Sequence, residues 1–294
     1  MSKQTTLLVS GASGQLGRRV VELLLARKDP TLKIVAGTRT PEKLTGLDGA
    51  EARALDFEDA ATLKTAFAGV DRLLIVSTDA LDRPGRRAAQ HTAAIKAAEA
   101  AGIAHVVYTS AINPTVDSPV LVAGDHRLTE EALTASSLEF TILRNALYLD
   151  LNLGSLVGAS KGGVLYAAGG DGAQSYVTRE DCAAAAAGAL ASDFKGRRTL
   201  DVTGSASIGF AELAAITAKV SGKPVRYQAV SAEEQTKGLI AHGLPAGMAA
   251  VLVSFDTAVA QGRADVTSDV VQQLAGRPPQ SVEQFLQANI AAFS

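Results

Sequence analysis

A glycine-rich turn near the start of the chain constrains the fold more than any other feature of the sequence. The segment from Leu7 to Gly17 is LLVSGASGQLG, which spaces its glycines as G-x-x-G-x-x-G between a predicted strand and a predicted helix. Gly11 permits a tight turn, Gly14 lets the backbone approach a pyrophosphate, and Gly17 lets the helix pack closely on the strand. The helix N-terminus adds unpaired N–H groups and the positive end of the helix dipole. The pattern therefore predicts a dinucleotide-binding turn; a purely structural turn between strand and helix is the alternative.

Strand-like and helical patterns alternate through the first half of the chain. The predicted strands are Thr5 to Ser10, Lys33 to Thr38, Ala52 to Asp56, Arg72 to Val76, His105 to Ser110 and Glu139 to Arg144. The predicted helices are Leu16 to Ala26, Ala60 to Phe67, Pro84 to Ala101 and His126 to Ala135. Strands that alternate with crossover helices form a parallel sheet covered on both faces. We therefore predict the α/β class, with a Rossmann-type doubly wound parallel sheet.

The regular alternation of strand-like and helical patterns ends after about Arg144. A stretch rich in Gly, Ser and Ala follows, and a capping-box pattern that starts at Thr178 then introduces a helix. Two further strand-like runs, Thr199 to Val202 and Val225 to Ala229, precede a mostly helical C-terminal part. We expect an NADP(H)-binding Rossmann domain over residues 1–150 with a returning strand and helix near 176–203. Residues 151–294 are expected to form a smaller, interleaved α+β substrate lobe.

Composition excludes several classes of protein. With 294 residues, 47% of them apolar, the chain is long enough for a sizeable core, and its single Cys182 excludes an intramolecular disulfide. The 28 basic and 30 acidic side chains give no broad field for nucleic acid or membrane. The N-terminus has no secretory h-region and no stretch approaches a membrane span, so we expect a cytoplasmic protein. Small basic clusters, such as Arg83, Arg86 and Arg87, are interpreted as solvated faces.

The end of the second predicted strand indicates which dinucleotide the turn binds. An NAD-preferring site places Asp or Glu there to hold the ribose 2′-hydroxyl, whereas a basic residue accommodates a 2′-phosphate. This chain has Arg39 at that position, and Lys43 adds a second charge nearby. Arg39 can also stack on the adenine ring. We therefore predict NADPH (NADP) as the cofactor.

Further cofactor contacts are expected at the carboxyl ends of the other strands, because ligands bind on that side of an open α/β sheet. Asp56 and Phe57 are placed to meet the adenine, and the residues after strands four and five can line the nicotinamide side. The predicted cofactor-binding residues are Gly11, Ser13, Gly14, Gln15, Leu16, Gly17, Arg39, Lys43, Asp56, Phe57, Ser77, Thr78, Tyr108, Thr109 and Ser110.

The residues described so far, with several later motifs, resemble a known family. The later motifs are Tyr108-Thr109-Ser110, Asp125 to Glu130, Leu143 to Tyr148, Thr178 to Asp181 and Leu274 to Pro279. Together they are similar to the NmrA-like atypical short-chain dehydrogenase/reductases, most of all to the branch of NAD(P)H:quinone oxidoreductase type 2 and triphenylmethane reductase. The resemblance covers nearly the whole chain. It implies a Rossmann domain, a small substrate lobe, NADPH binding and reduction of quinone-like or dye-like acceptors. Ala146-Leu147-Tyr148 replaces the Gly-Trp-Tyr frequent in this branch, so we expect a different acceptor pocket.

The candidate catalytic residues differ from those of the main short-chain dehydrogenase branch. None of the five Tyr is followed four residues later by Lys, which argues against the Tyr-Lys proton donor of that branch. His126 and Glu130 share one helix face, so His126, with a pKa near neutral, can donate a proton while Glu130 orients it. A stabilising pair without a catalytic role is the alternative. Tyr148 is placed to stack on or hydrogen-bond a planar acceptor, with core packing as its alternative.

These observations favour an NADPH-dependent reductase that transfers hydride to a quinone or a similar planar conjugated electrophile. Hydride addition to a quinone gives a delocalised anion, so positioning against the nicotinamide can suffice without an acid. Two alternatives remain: a regulatory protein that senses NADP(H) without turnover, and a reductase of activated carbonyls, imines or dyes. The expected partner is a small-molecule electron acceptor, without nucleic acid, membrane or metal. A homodimer is left open.

Overall fold

The structure, a computed structural model, describes residues 4–294 and contains a seven-stranded parallel sheet. The strands are β1 (Thr5–Val9), β2 (Leu32–Thr38), β3 (Glu51–Ala54), β4 (Arg72–Ile75), β5 (His105–Ala111), β6 (Glu139–Asn145), β7 (Val164–Ala167), β8 (Ala173–Gln174), β9 (Arg197–Val202), β10 (Ile208–Gly209) and β11 (Arg226–Ala229). The order in the main sheet is β3-β2-β1-β4-β5-β6-β9, and all its neighbours pair in parallel. The order reverses beside β1, which is where a doubly wound sheet opens a ligand crevice.

Helices connect the strands and cover both faces of the main sheet. They are α1 (Gln15–Ala26), α2 (Ala60–Phe67), α3 (Arg86–Ala100), α4 (Ala123–Ala135), α5 (Leu153–Gly162), α6 (Arg179–Ala191), α7 (Phe210–Ser221), α8 (Ala232–Ala241), α9 (Ala246–Ala260), α10 (Val270–Ala275) and α11 (Val282–Ala288). Short 3₁₀ helices lie at Pro41–Lys43, Leu149–Asn152 and Ile290–Phe293. No helix among residues 4–294 is both long and apolar enough to cross a membrane.

Two hydrophobic cores lie on the two faces of this sheet. On one face, apolar residues of α1, α6 and α10 pack against the strands. On the other face, residues of α2, α3 and α4 do so, with Phe67, Tyr108 and Ile75 fully buried. A strand buried on both faces has consecutive apolar residues, as Leu73, Leu74 and Ile75 of β4 show. This burial fixes the sheet as the rigid platform on which the site is built.

A third core belongs to the C-terminal part of the chain. It gathers residues of α5, α7, α9 and α11 beside two small sheets, the antiparallel pair β8 and β10 and the parallel pair β7 and β11. Its largest side chains include Tyr176, Phe210 and Phe285. α6 and β9, although they come late in the chain, lie in the layers of the main sheet. This arrangement supports the predicted interleaving of the two parts, whose exact division stays a prediction.

The predicted fold class is confirmed. α5, β8 and β10 were not predicted, and several predicted elements differ from the structure at their ends. α4 begins at Ala123 rather than His126, so Gly124 and Asp125 form part of its first turn. β9 begins at Arg197, two residues before the predicted start. β9 is an edge strand of the sheet, and an edge strand can carry exposed arginines that would be unfavourable in a central strand.

Candidate cofactor site

A cavity of about 610 Å³ lies at the carboxyl ends of the first four strands. Its size is within the range of small-molecule sites, and its position is the expected one for a ligand of an open α/β sheet. The residues that line it are Ser10, Gly11, Ser13, Gly14, Gln15, Leu16, Gly17, Thr38, Arg39, Leu55, Asp56, Phe57, Val76, Ser77, Thr78, Asp79, Ala80, Asp82, Arg86 and Gln90. All the predicted glycine-turn residues are among them.

The glycine turn has the geometry that its spacing predicts. Gly11 adopts a left-handed φ of 62°, which a residue with a side chain rarely adopts. A Cβ on Gly17 would overlap the carbonyl oxygen of Gly11 and lie 2.9 Å from that of Ser10. Gly14 caps α1, and no side chain accepts from the first N–H groups of this helix. The uncapped helix N-terminus is thus free to bind an anion such as a pyrophosphate.

The end of β2 supplies a free positive charge at the rim of the cavity. The hydroxyl groups of Ser13 and Thr38 form a hydrogen bond of 2.7 Å, which links the glycine turn to β2. The next residue, Arg39, is exposed, lines the cavity and forms no ion pair with any residue of 4–294. Lys43 is exposed in the following 3₁₀ helix and does not line the cavity. Arg39 is therefore the cation available to a 2′-phosphate.

One wall of the cavity is closed by an ion-pair network that the sequence did not reveal. Arg86 donates to both carboxylate oxygens of Glu58, at 2.6 and 2.7 Å, and to those of Asp82, at 2.9 and 3.0 Å. Asp56 and Phe57 line the cavity next to it, as predicted for the adenine end. Arg86 is partly exposed, as expected of a solvated basic residue, and two acidic side chains bind it at the rim.

The segment after β4 is held in place by residues from β5 and α3. The backbone N–H of Ser77 donates to Oγ1 of Thr109 at 2.9 Å. The N–H of Thr78 donates to Nε2 of His91 at 3.0 Å, and its hydroxyl donates to Gln90 at 2.7 Å. Ser77 and Thr78 line the cavity as predicted, whereas Thr109 supports them from behind.

The three residues predicted on β5 do not line the cavity. Tyr108, Thr109 and Ser110 are all buried, because helices cover both faces of this central strand. Tyr108 points into the core below α3 and α4, and Ser110 donates to Glu130 at 2.6 Å. The expectation that these side chains face the nicotinamide is corrected by this burial. A position at the carboxyl end of a strand is necessary for contact with the ligand, but it is not sufficient.

Behind Thr78 lies a buried polar group of residues that we call the imidazole cluster: Arg87, His91, Tyr108, His126 and Thr129. Nη2 of Arg87 donates to Nε2 of His126 at 3.2 Å. Because a guanidinium only donates, Nε2 of His126 carries the lone pair and the neutral ring holds its proton on Nδ1. That N–H donates to the hydroxyl oxygen of Tyr108 at 2.8 Å. Burial and the charge of Arg87 lower the pKa of His126 well below its ordinary value, so the ring is neutral.

His91 has an equally fixed tautomer. The hydroxyl of Thr129 donates to the carbonyl of Asp125 at 2.7 Å, so its oxygen accepts from Nδ1 of His91 at 2.9 Å. Nε2 accepts from the backbone N–H of Thr78. Burial, aided by Arg87, lowers the pKa of His91 to about 3. The wall behind Thr78 thus contains two neutral imidazoles and one guanidinium.

The predicted partnership of His126 and Glu130 is wrong. Oε1 and Oε2 of Glu130 accept from Arg144 at 3.0 and 2.6 Å, and Oε1 also accepts from Ser110. Glu130 therefore ties α4 to β5 and β6 instead of orienting the imidazole. The expected near-neutral pKa of His126 is also wrong. The ring is only 4% exposed and lies beside a guanidinium, and both conditions lower its pKa.

Tyr148 is held at the end of β6. Nδ2 of Asn145 donates to its hydroxyl at 2.9 Å, and the guanidinium of Arg179 stands 5.5 Å from its ring centre. Oδ1 of Asn145 is buried without a hydrogen-bond partner. Neither His126 nor Tyr148 is among the residues that line the cavity, so their catalytic roles stay predictions. Residues 4–294 contain no group of three or more His, Cys, Asp or Glu arranged for a metal ion.

The buried histidines make stability depend on pH in a predictable direction. Burial lowers the pKa of His91 and His105 to about 3 and that of His126 in the same direction, so the unfolded chain binds three more protons below about pH 6. Burial raises the pKa of Asp256 to about 6, so at this carboxyl the folded chain binds a proton that the unfolded chain lacks. This proton offsets one of the three histidine protons. We expect the free energy of unfolding to fall by about 2 to 3 kcal/mol per pH unit as pH drops from about 5.5 to 4.5.

Chemical denaturation of the protein without cofactor, at several pH values in this range, measures that slope. His105→Gln removes one of the three histidines that take up a proton on unfolding. The free energy of unfolding should therefore depend less steeply on pH, by about 1.4 kcal/mol per pH unit. A free energy of unfolding that does not change over the range would contradict the neutral, buried state of these rings.

Comparison with known proteins places the chain in a family. A family described as NAD(P)H-binding matches residues 11–193. Quinone oxidoreductase 2 of Escherichia coli is 36% identical over 274 residues, which cover 92% of this chain and 94% of that protein. The crystal structure of the NADPH-dependent quinone oxidoreductase of Escherichia coli complexed with NADPH superposes with a TM-score of 0.89 at 35% identity, covering 96% of this chain and 99% of that one.

A dye-reducing enzyme has the same architecture. The crystal structure of Citrobacter sp. triphenylmethane reductase complexed with NADP(H) matches with a TM-score of 0.88 at 34% identity, and covers 96% of this chain and 99% of that chain. These matches confirm the resemblance drawn from the glycine turn and the later motifs. The chain belongs to the NAD(P)H-binding family, as an NmrA-like oxidoreductase of the branch that includes quinone oxidoreductase 2 and triphenylmethane reductase.

Proposed function

We propose that the protein is an NADPH-dependent reductase that transfers hydride to a quinone or a similar planar conjugated electrophile. The observation that carries the proposal is the cavity itself, because an uncapped helix N-terminus and Arg39, which forms no ion pair with residues 4–294, both line it. The pyrophosphate of NADPH fits the first feature, and its 2′-phosphate fits the second. The relatives that reduce quinones or dyes support the choice of acceptor.

The residues of the cavity fit NADPH along its whole length. The turn from Gly11 to Gly17 would receive the pyrophosphate, and Arg39 would pair with the 2′-phosphate. Phe57 offers its ring and Asp56 its carboxylate to the adenine end. Ser77 and Thr78, whose backbone is fixed from behind, would line the nicotinamide end. Bound there, the cofactor supplies a hydride to the acceptor.

The wall near the nicotinamide end lacks a strong acid. His91 and His126 are neutral and fully hydrogen-bonded, and burial raises the pKa of Tyr108 far above its ordinary value. Burial also raises the pKa of Tyr148, whose hydroxyl accepts from Asn145 and keeps its own proton as a hydrogen-bond donor. A site of this kind can orient a planar acceptor and stabilise the product anion, which suits quinones better than isolated ketones.

The setting of the enzyme is part of the proposal. We place it in the cytoplasm, where NADPH is supplied and where a single buried thiol such as Cys182 remains reduced. Residues 151–294 would provide the acceptor side of the site. Light scattering of the purified protein tests whether it forms a homodimer, which the sequence leaves open.

The proposal is tested by following NADPH absorbance with a quinone, a triphenylmethane dye and a simple aromatic ketone. We expect rapid oxidation of NADPH with menadione and none with acetophenone, because the ketone requires a proton that this site does not deliver. A ketone rate equal to the quinone rate would contradict the proposed chemistry. Tight NADPH binding without oxidation by any acceptor would instead support the regulatory alternative.

A further inference from the structure

Arg87 is a buried cation without an ion-pair partner. It is 7% exposed, and although Nη2 donates to His126, Nε and Nη1 are buried with no hydrogen-bond partner. Asp79 and Asp125 are near enough to act on the pKa of Arg87, but no carboxylate in the described part of the chain forms an ion pair with it. Buried charges are normally paired, since an unpaired one is expensive to desolvate. The sequence-based expectation of a solvated Arg87 is therefore wrong.

No group within the imidazole cluster compensates the charge of Arg87. Burial, aided by the charge of its guanidinium, keeps the pKa of both His91 and His126 low, so neither ring adds a proton. The hydroxyl of Tyr108 stays protonated, because burial raises its pKa. The imidazole cluster accordingly holds one net positive charge and no negative charge of its own. In a site of low dielectric constant such a charge acts over several ångströms.

This charge lies behind the cavity on the side of the nicotinamide end. Arg87 precedes Gln90 and His91 by about one turn of α3, and both of these hydrogen-bond to Thr78. Thr78, Asp79 and Gln90 line the cavity. Burial lowers the pKa of Arg87, and Tyr148, the residue predicted to meet the acceptor, is among the groups that act on this pKa in the opposite direction. The guanidinium thus lies about one helical turn from the two residues that hold Thr78 in the cavity wall.

We propose that Arg87 sets the charge selectivity of the acceptor site: it favours acceptors whose reduction leaves negative charge on oxygen and disfavours cationic acceptors. This inference rests on the proposed reductase function. When hydride passes to a quinone, NADPH becomes NADP⁺ and the neutral quinone becomes the hydroquinone monoanion, which then takes one proton from water. A fixed positive charge stabilises that developing anion. When the same hydride passes to a cationic triphenylmethane dye, the dye becomes its neutral leuco form. The guanidinium then repels the bound cation and finds no product anion to stabilise.

The test compares Arg87→Met and Arg87→Lys with Arg83→Met as a matched control, because Arg83 is an exposed arginine nearby, with 69% of its side chain accessible. With menadione, Arg87→Met should lower kcat about 100-fold, as loss of one anion-stabilising group does in other enzymes. Arg87→Lys keeps the charge and should retain most of the rate, and Arg83→Met should match the unmodified protein. With malachite green, Arg87→Met should lower KM, or the inhibition constant if the dye is not reduced, because the repulsion of the bound cation is lost.

A binding measurement gives a readout that does not depend on turnover. Calorimetric titration of the NADP⁺ complex with 4-nitrophenolate, a mimic of the hydroquinone anion, should show at least tenfold weaker binding in Arg87→Met. Thermal midpoints of the variants, recorded beside the titration, separate a loss of folding from a loss of anion binding, because Arg87→Met also removes the hydrogen bond to Nε2 of His126. Unchanged nitrophenolate binding, or an equal loss of activity with menadione and malachite green, would overturn the inference. If the unmodified protein reduces no quinone, the reductase proposal fails, whereas the titration still decides the role of Arg87.

Discussion

Gly17→Ala should cost the protein both its stability and its affinity for NADPH. The new methyl group would overlap the carbonyl of Gly11 and press on that of Ser10, and both are backbone atoms that cannot rotate away. Overpacking of this kind costs about 3 kcal/mol or more where the surroundings are rigid. Since the same turn must present its N–H groups to the pyrophosphate, any shift that relieves the clash misplaces them. We expect NADPH binding to weaken by about 100-fold or to disappear.

The matched control is Gly158→Ala, in the interior of α5. A Cβ at Gly158 meets no atom within 4 Å, and alanine is the better helix former, so this variant should be slightly stabilised. Thermal unfolding and fluorescence titration with NADPH measure both variants. A Gly17→Ala protein that melts and binds NADPH like the unmodified one would show that the close packing of this turn is not required.

Arg39→Asp should shift the cofactor preference from NADPH toward NADH. Arg39 is exposed at the rim, lines the cavity and has no ion-pair partner among residues 4–294, so its charge is available to the 2′-phosphate. Loss of the charge-assisted hydrogen bonds, together with repulsion by the new carboxylate, should weaken NADPH binding by about 100-fold. NADH lacks that phosphate, and an acidic residue at this position can hold its ribose hydroxyl. NADH affinity should therefore stay the same or improve.

Calorimetric titration with NADPH and with NADH gives the ratio of the two dissociation constants. Arg226→Asp, the same change at an exposed arginine of β11 in the C-terminal part, should leave this ratio unchanged. If Arg39→Asp binds NADPH no more weakly relative to NADH than before, the 2′-phosphate is not held at the end of β2.

The part of the site that depends on local sequence was predictable. Gly11, Gly17 and Arg39 act through backbone geometry and position, which a strand-turn-helix pattern specifies within about 30 residues. The parallel sheet was predictable as well, because its apolar strands alternate regularly with crossover helices along the chain.

The inner wall of the site was not predictable, because it depends on contacts between distant segments. Glu130 of α4 pairs with Arg144 of β6, so the i, i+4 spacing of His126 and Glu130 did not indicate a contact between them. Arg87 belongs to a run of basic residues that resembles a solvated face, and only the packing of α3 against α4 buries it. Tyr108 was expected at the cofactor, but in a strand covered on both faces the side-chain direction decides which neighbour it meets.

The most direct test of the account is a single anaerobic experiment with the purified protein, NADPH and menadione. Absorbance reports the loss of NADPH, and chromatography reports the hydroquinone that forms. The account predicts that each NADPH consumed yields one menadiol, at a rate that depends on the enzyme concentration. Tight binding of NADPH with no hydroquinone formed from menadione or from any other quinone would contradict it.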